Sequence, residues 1–271
     1  MKNIMKLLGF VFSLLFLYGF RDTNCFKVNR VYLRTEKLKR HENLKIVQIS
    51  DMHDKSAFGL HKRLVKEITR LSPDIIVLTG DLIDRRTSDF QKIFSFVDML
   101  AATNIPIYFV TGNHEWDHSN IHRLLEGLRR RNVNILANEQ VNLELKETTV
   151  ALLGIHNTTT NHENIPQAFQ HVKENRFTIL LSHSPYVVVK YPWLSADLIL
   201  SGHTHGGQIR FPWIGAVVGP GGGMFPELDK GLYEWREGKF IYVDSGLGVT
   251  GIPVRFHNQS QVSFIQIEGD N

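Results

Sequence analysis

The chain of 271 residues is 42% hydrophobic and 21% charged, which is typical of a globular protein and excludes a disordered or low-complexity one. Its single cysteine, Cys25, excludes an intrachain disulfide framework. The formal net charge of +4 is unevenly distributed, because residues 1–45 hold ten Lys/Arg and three Asp/Glu while the remaining residues sum to −3. A nucleic-acid enzyme more often carries its basic charge on the folded domain, so nucleic acid is not an expected partner.

The N-terminal segment contains a 14-residue run without charge, from Leu7 to Phe20. As a helix this run would reach ~21 Å, which is short for a hydrocarbon core of ~30 Å and typical of a signal-peptide core. No small-x-small cleavage site follows it, and extension back to Ile4, with Lys6 reaching the interface, makes a membrane span feasible. We therefore predict that residues 1–25 form an uncleaved anchor in the cell membrane, with a cleaved export signal as the alternative.

The sequence is compatible with either side of the membrane as the location of the rest of the chain. Basic residues after the apolar run outnumber those before it, which favours a cytoplasmic position, whereas the signal-like layout favours export. Residues 26–43 are interpreted as a basic connector or edge strand. Their positive charge is suited to contact with anionic lipid headgroups.

Short apolar runs and helix-like stretches alternate from residue 44 onward. Strands are predicted at 44–50, 74–80, 105–112, 177–182 and 196–202. Helices are predicted at 60–72, 88–102 and 118–131, where leucine and isoleucine recur at helical spacing. A β-rich portion adds strands at 139–145, 149–155, 231–236, 239–245 and 261–267. Strands that alternate with helices imply a mostly parallel, covered sheet.

We therefore predict an α/β fold in which two packed mixed β-sheets are flanked by helices, with residues 44–271 as one domain. Each of the five alternating strands ends in a residue able to bind a metal: Asp51, Asp81, Asn113, His183 and His203. In open α/β folds, ligands gather at the carboxyl ends of the strands. Helix capping would explain one such ending but not all five.

Further candidate ligands accompany these strand ends. In "SDMHD", His53 lies two residues after Asp51, so that an extended backbone would direct both side chains to one ion. In "SGHTHGG", His203 and His205 are framed by glycines, which let the backbone approach a crowded metal centre. Oxygen and imidazole ligands without thiolate suit Mn, Fe, Zn or Co and argue against a structural zinc site.

The ordered set D-x-H, G-D, G-N-H-[ED], H and G-H-x-H resembles the signature of the calcineurin-like metallophosphoesterases, from about residue 44 to the C-terminus. The resemblance implies a metallophosphoesterase sandwich with two divalent metal ions, of which manganese is favoured. It implies that one metal is bound by Asp51, His53, Asp81 and His205, and the other by Asp81, Asn113, His183 and His203. His114 occupies the place of the catalytic histidine that assists the phosphoryl oxygen and the leaving group.

The activity that this resemblance implies is hydrolysis of a phosphoric ester by metal-activated water. We expect a phosphodiester or pyrophosphate in a lipid-linked or nucleotide-linked small molecule, with a phosphomonoester less favoured. The segments "GGQIRFP", "GLYEW" and "YVDSGLG" resemble a bacterial subgroup of membrane-associated or exported phosphoesterases. A nuclease of the same superfamily and a non-catalytic metal-binding scaffold are the alternatives, and no protein partner is implied.

Residues outside the signature receive supporting roles. Glu115 or Asp84 is expected to orient His114 or a ligand histidine. His156, at the end of a predicted strand, is a candidate for lining the site. Residues 221–223 lack the lysine and the helix of a P-loop and are interpreted as a wall beside the site. Four aromatic residues are interpreted as core or rim, with contact to an apolar substrate as the alternative: Phe211, Trp213, Phe225 and Trp235.

Overall fold

The structure, a computed structural model, describes residues 2–173, 175–220 and 223–270. The α-helices of these residues are α1 (Lys2–Asn24), α2 (Leu60–Leu71), α3 (Gln91–Ala101), α4 (Asn113–Trp116), α5 (Ile121–Arg129), α6 (Ile165–Phe169) and α7 (Val187–Lys190). The strands of the first half are β1 (Lys27–Thr35), β2 (Asn43–Ile49), β3 (Ile75–Leu78), β4 (Ile107–Phe109), β5 (Val133–Ile135), β6 (Glu139–Glu144) and β7 (Thr149–Gly154). Those of the second half are β8 (Thr178–Leu181), β9 (Leu198–Ser201), β10 (Arg210–Phe211), β11 (Gly215–Ala216), β12 (Val218–Gly219), β13 (Gly223–Met224), β14 (Gly231–Arg236), β15 (Lys239–Val243) and β16 (Gln261–Gly269).

Two six-stranded mixed sheets form the centre of the molecule, which confirms the predicted fold class. The first sheet has the order β1-β16-β2-β3-β4-β5, and the second has the order β14-β15-β9-β8-β7-β6. Strands β2 to β5 are parallel to one another, and so are β7, β8, β9 and β15. The short strands β10 to β13 form two hairpin-like pairs outside these sheets.

The two sheets pack face to face through one apolar layer. Ile46 and Val77 contribute to this layer from the first sheet, and Ile179 and Leu200 contribute from the second. The central strands are buried on both faces, which is why β3, β8 and β9 are continuous apolar runs rather than alternating ones. Helices α2, α3 and α5 cover the outer face of the first sheet, and α6 and α7 cover that of the second.

Helix α2 shows how the sequence places a covering helix. The residues that it buries are three or four positions apart, so that one apolar stripe faces the sheet. They are Leu60, Leu64, Ile68 and Leu71. Helices α3 and α5 begin three residues later than predicted, because the side chains of Asp89 and His118 accept backbone N–H groups in turns just before them.

Helix α1 is exposed along most of its length. By length and composition it is apolar enough to cross a membrane, a test that a signal sequence near the N-terminus also passes. Its last turn differs, because Asp22 and Thr23 are buried against the rest of the molecule. Strand β1 follows directly at the edge of the first sheet and pairs in parallel with β16.

Candidate metal centre

Five strands, three from the first sheet and two from the second, end at the same place in the molecule. Polar side chains follow each of them: Asp51 and His53 after β2, Asp81 after β3, Asn113 after β4, His183 after β8, and His203 and His205 after β9. Their carboxylate and imidazole atoms form overlapping groups, within each of which the candidate ligand atoms lie within 4.8 Å of one another. The structure therefore brings six of the seven predicted metal ligands, together with His114, to one centre.

The first group contains Asp51, His53 and His205. Nε2 of His53 lies 3.1 Å from Nε2 of His205, and Oδ1 of Asp51 lies 3.5 Å from the same His205 nitrogen. Burial lowers the pKa of His53 to about 4 and holds the pKa of His205 well below its usual value. Both rings are therefore neutral at neutral pH, which is the form that binds a metal.

The second group contains Asp81, His183 and His203. Nε2 of His183 lies 3.2 Å from Nδ1 of His203 and 3.3 Å from Oδ2 of Asp81. Nδ1 of His183 donates a hydrogen bond to the carbonyl oxygen of Thr79 at 2.7 Å, which leaves Nε2 for the centre. Burial opposes protonation of this ring, but the Asp81 carboxylate raises the pKa of His183 to about 10. A negative charge that attracts a proton at this position also attracts a metal cation.

Asp81 also belongs to a third group, with His53 and His114, which connects the first two. Its Oδ2 is 3.8 Å from Nε2 of His53 and 3.9 Å from Nε2 of His114, in addition to the 3.3 Å contact with His183. Its Oδ1 accepts the backbone N–H of His114 at 2.9 Å. Burial opposes ionisation, yet the surrounding imidazoles hold the pKa of Asp81 below its usual range. An ionised carboxylate in this position is able to contact cations on both sides.

Buried polar atoms at the centre fit divalent cations. Oδ1 of Asn113, the residue before His114, has no hydrogen-bond partner among the residues that the structure describes. A buried polar atom left without a partner costs ~1–3 kcal/mol, and a cation is one partner that satisfies an amide oxygen. The donor set of carboxylate, amide and imidazole, without thiolate, is consistent with a transition-metal ion and does not specify which one.

The backbone at the strand ends departs from the extended form expected for residues 51–53. Asp51 and His53 have φ values of 49° and 46°, because the backbone N–H of His53 bonds to the carbonyl oxygen of Asp81 in a turn. The two side chains still reach one group by way of this turn. Asp81, His203 and His205 also have positive φ values, of 51°, 72° and 52°. Backbone strain of this kind concentrates at functional sites.

Glycines allow the chain to approach the ligands closely. A Cβ atom at Gly202 would overlap the side chains of Ser50 and Asp51, and one at Gly112 would overlap the Asp81 carboxylate. Only a residue without a side chain fits at either position. The expected role of the glycines in "SGHTHGG" therefore holds for Gly202, which precedes His203.

His114 belongs to the third group, and its ring centroid lies 4.5 Å from that of His53. Nδ1 of His114 accepts the backbone N–H of Arg85 at 3.1 Å and lies 3.3 Å from Oδ2 of Asp84. Nε2 of the ring lies 3.9 Å from Oδ2 of Asp81. Burial lowers the pKa of His114, so the neutral ring is favoured. Asp84 thus contacts His114, as the sequence predicted.

Two neighbours of His114 have contacts that the sequence did not predict. Nη2 of Arg85 lies 3.2 Å from Nε2 of His114, and the Arg85 side chain is 49% exposed, which places a positive charge at the entrance. The Glu115 carboxylate accepts the backbone N–H groups of Asp81 and Gly112 at 2.9 Å and 2.7 Å. Glu115 therefore joins the loops after β3 and β4, whereas Asp84 contacts the catalytic candidate.

The loop that carries His205 accepts hydrogen bonds from two residues that the sequence did not identify, Arg255 and Asn258. Nδ2 of Asn258 donates to the carbonyl oxygen of His205 at 2.6 Å. The guanidinium of Arg255 is fully buried and donates to the carbonyl oxygens of Ser245 and Gly248, each at 2.6 Å. Neither residue belongs to a motif, and both lie at least 50 positions from His205, so no local signal identifies them.

The remaining candidates lie outside the groups of ligand atoms. Nδ1 of His156 pairs with Oγ1 of Thr111 at 2.9 Å, away from the centre. Trp235 packs against the core outside the second sheet, whereas Phe211, Trp213 and Phe225 are exposed and are surface residues. Of the glycine-rich segment, residues 221 and 222 lie outside the described residues.

Comparison with known proteins identifies the family of this chain. A family model described as calcineurin-like phosphoesterase matches residues 44–207. The chain is 31% identical to YkoQ of Bacillus subtilis, an uncharacterized metallophosphoesterase, over 98% of this chain and 100% of that protein. It is 30% identical to an uncharacterized metallophosphoesterase of Aquifex aeolicus, over 96% of this chain and 98% of that protein. A protein of Bos taurus, named a transmembrane protein with metallophosphoesterase domain, is 31% identical over 82% of this chain and 52% of its own length.

Solved structures share the fold. The NAD nucleotidase of Haemophilus influenzae superimposes with a TM-score of 0.51 at 16% identity, over 76% of this chain and 46% of the nucleotidase. A 5′-nucleotidase precursor of Thermus thermophilus gives a TM-score of 0.50 at 14% identity, over 84% of this chain and 54% of that protein. At these identities the likeness concerns the fold alone. The family model and the full-length relatives together establish that the chain belongs to the calcineurin-like phosphoesterase family.

Proposed function

We propose that the protein is a dinuclear-metal-dependent phosphoesterase that hydrolyses a phosphodiester or pyrophosphate in preference to a phosphomonoester. The observation that carries this proposal is the pairing of histidine nitrogens, 3.1 Å and 3.2 Å apart, on either side of the Asp81 carboxylate. Membership of the phosphoesterase family supports the reaction class. The substrate that we infer is a lipid-linked or nucleotide-linked small molecule, because exposed apolar residues lie near the centre.

Each proposed metal site uses side chains from both sheets. One site is formed by Asp51, His53, Asp81 and His205, and the other by Asp81, Asn113, His183 and His203. The unpartnered, buried Oδ1 of Asn113 supports its place in the second site. Two divalent cations, for which manganese is favoured, supply an activated water molecule and neutralise phosphate oxygens when they are bound.

His114 is the proposed catalytic histidine. Its Nε2 is 3.9 Å from Oδ2 of Asp81, which places the ring beside the proposed metal sites, and its proposed role is a hydrogen bond to a phosphate bound there. The backbone N–H of Arg85 orients the ring through Nδ1, and Oδ2 of Asp84 lies 3.3 Å from the same nitrogen. The guanidinium of Arg85 is a charge-assisted donor that suits a phosphate oxygen.

Helix α1 is the proposed membrane anchor. Its 23 residues reach ~35 Å, which is enough to span the hydrocarbon core. Oδ2 of Asp22 accepts the backbone N–H of Asn258, and Oγ1 of Thr23 accepts that of Arg255. Cleavage after these residues would remove two buried contacts of the domain, which favours retention of the helix over removal of a signal peptide.

The test measures hydrolysis by the full-length protein in phosphatidylcholine nanodiscs, after metal depletion and after addition of Mn²⁺. Bis(p-nitrophenyl) phosphate reports diester hydrolysis, and p-nitrophenyl phosphate reports monoester hydrolysis. We expect activity only with metal and a faster reaction with the diester. His114→Ala is expected to lower kcat by ~10²–10⁴-fold, as loss of a general acid does.

The controls separate the alternatives. His171→Ala, at an exposed histidine, is expected to leave kcat unchanged. Normal activity in Asp81→Asn or His114→Ala would contradict the proposed centre. Salt-sensitive cleavage of nucleic acid would favour the nuclease, and two bound metals without hydrolysis would favour the scaffold.

A further inference from the structure

We propose that an apolar groove beside the metal centre binds the hydrocarbon chain of a lipid phosphoester. This inference rests on the proposed phosphoesterase function and deepens it by naming the substrate class. The groove has a volume of about 480 Å³, within the ~300–1,000 Å³ range of small-molecule sites. Thr204 and His205 form part of its lining, so the groove adjoins the ligand groups.

The walls of the groove are largely apolar and partly exposed. They are formed mainly by Ile209, Phe211, Val217, Val218, Pro220 and Ile252. Phe211, Val218 and Ile252 are 51%, 60% and 57% exposed. An apolar ligand in this groove would remove these side chains from water, which is favourable. The Gln208 side chain is already satisfied, because it donates to the carbonyl oxygen of Thr250 and accepts the backbone N–H of the same residue, each at 2.7 Å.

One wall of the groove continues to helix α1. The backbone N–H of Phe256 donates to the carbonyl oxygen of Gln208, and that of Arg210 donates to the carbonyl oxygen of Phe256, so these segments pair around Ile209. The ring of Phe256 contacts that of Tyr18 in α1, with centroids 5.1 Å apart. The groove therefore lies one backbone segment away from the apolar helix.

A hydrocarbon chain is the occupant that this surface fits. The groove lining carries no Asp, Glu, Lys or Arg among the described residues, so a charged ligand would lose hydration there without a partner. A lipid in the bilayer around α1 would present its chain from the side on which the groove meets the helix. Trp213, which is fully exposed, follows the wall residue Phe211 and is of the type that proteins place at membrane interfaces.

The test compares two synthetic diesters, p-nitrophenyl ethyl phosphate and p-nitrophenyl octyl phosphate, with the full-length protein in phosphatidylcholine nanodiscs and Mn²⁺. The readout is the octyl-to-ethyl ratio of kcat/KM. Burial of one methylene is worth ~4-fold, so even partial burial of the longer chain is expected to give a ratio of at least ~10 in the wild type. Val218→Asp and Ile252→Asp, at exposed positions of the groove, are expected to lower this ratio at least ~5-fold, with kcat/KM of the same variant for the ethyl ester as the reference.

Val189→Asp is the matched control, because Val189 is 69% exposed on α7 and is not part of the groove. The octyl ester partitions into the bilayer equally in assays of this variant and of the wild type, so Val189→Asp is expected to keep the wild-type octyl-to-ethyl ratio. Hydrolysis of both esters with an unchanged ratio in both groove variants would overturn the groove proposal and leave the phosphoesterase function intact. Failure to hydrolyse either ester, with metal bound, would overturn the proposed function and the role of the groove with it.

Discussion

Asn258 connects the last turn of helix α1 with the metal centre. Its backbone N–H donates to Oδ2 of Asp22 at 3.1 Å, and its side-chain Nδ2 donates to the carbonyl oxygen of His205 at 2.6 Å. The orientation of a proposed metal ligand therefore depends on a residue 53 positions away and, through it, on the N-terminal segment. Outer partners of this kind hold a ligand in the geometry that binds the metal.

Asn258→Ala is expected to weaken Mn²⁺ binding by ~10–100-fold, because the His205 loop loses the bond that fixes its carbonyl oxygen. Isothermal titration of metal-depleted protein measures this affinity directly. Asn175→Ala is the matched control at an exposed asparagine and is expected to bind Mn²⁺ as the wild type does. Equal affinities for the two variants would show that Asn258 does not position the ligand.

Removal of residues 1–25 is expected to destabilise the domain. The comparison uses two shortened chains that both lack most of helix α1. The chain of residues 18–271 keeps the buried acceptors Asp22 and Thr23, and the chain of residues 26–271 lacks them. These two hydrogen bonds, one of them to a charged carboxylate, are worth ~2–4 kcal/mol of unfolding free energy. The expected loss is at least this large, because the carbonyl oxygens of Asp22 and Thr23 also accept hydrogen bonds from Ser260. Urea denaturation of both chains measures the difference. Identical transition midpoints would show that these residues do not stabilise the domain and would favour a cleaved signal peptide.

The position of the candidate site could be predicted because its chemistry is local. Asp51, Asp81 and His183 each follow an apolar run, and the carboxyl ends of parallel strands meet. The turn after β2 could not be predicted in the same way. Its hydrogen bond joins His53 to Asp81, which belongs to another strand, so the φ values at residues 51 and 53 depend on tertiary structure.

The sequence predicts a connector or edge strand within residues 26–43, but it does not predict the strand with which β1 pairs. Lys27 in β1 lies opposite Gln261 in β16, and the two strands run in parallel although they belong to opposite ends of the chain. Arg255 and Asn258 likewise donate hydrogen bonds to the carbonyl oxygen of His205, which lies 50 and 53 positions away in the sequence. Hydrophobic periodicity and motifs report only on neighbours along the chain, so pairings of this kind leave no trace in them.

Arg85→Ala is expected to raise KM for bis(p-nitrophenyl) phosphate by ~10-fold or more, because a guanidinium at the entrance is lost as a phosphate donor. Arg86→Ala is the matched control, since Arg86 is the next residue and is also exposed. Steady-state kinetics of both variants separate the effects on KM and kcat. An increase in KM of the same size in both variants would contradict a specific role of Arg85 and indicate a general effect of charge.

Glu42→Gln is expected to lower the free energy of unfolding by ~1.5–3 kcal/mol at pH 7. Burial alone would raise the pKa of Glu42, but the hydroxyl of Thr148 and the backbone N–H groups of Glu147, Lys39 and Thr148 hold it at about 2. The side chain of a glutamine has one accepting oxygen and one NH2 group. Its NH2 group cannot accept a hydrogen bond, so at least one of these donors would lose its partner. Glu139→Gln, at an exposed position, is the matched control.

The destabilisation by Glu42→Gln should depend on pH in one direction. The pKa of Glu42 is lowered from 4.5 to about 2 in the folded state, so the ionised carboxylate stabilises the protein fully above about pH 4.5. This contribution is lost as the pH falls towards 2, and the difference between wild type and variant should shrink over that interval. Denaturation curves at pH 7, 4 and 3 measure it. A difference that stays constant would mean that the charge of Glu42 is not the stabilising feature.

Gly202→Ala is expected to abolish tight Mn²⁺ binding or to unfold the domain, because the added methyl group would overlap Ser50 and the Asp51 carboxylate. Ser50 and Asp51 lie in the turn after β2, and the Asp51 carboxylate accepts the backbone N–H of His203. Asp51 cannot move away from the added methyl group without breaking this bond. Gly9→Ala is the matched control, since a Cβ at Gly9 has no atom of the described residues within 4 Å. Circular dichroism separates loss of fold from loss of metal affinity. Wild-type Mn²⁺ affinity in Gly202→Ala would mean that Asp51 is not held against this loop when the metal is bound.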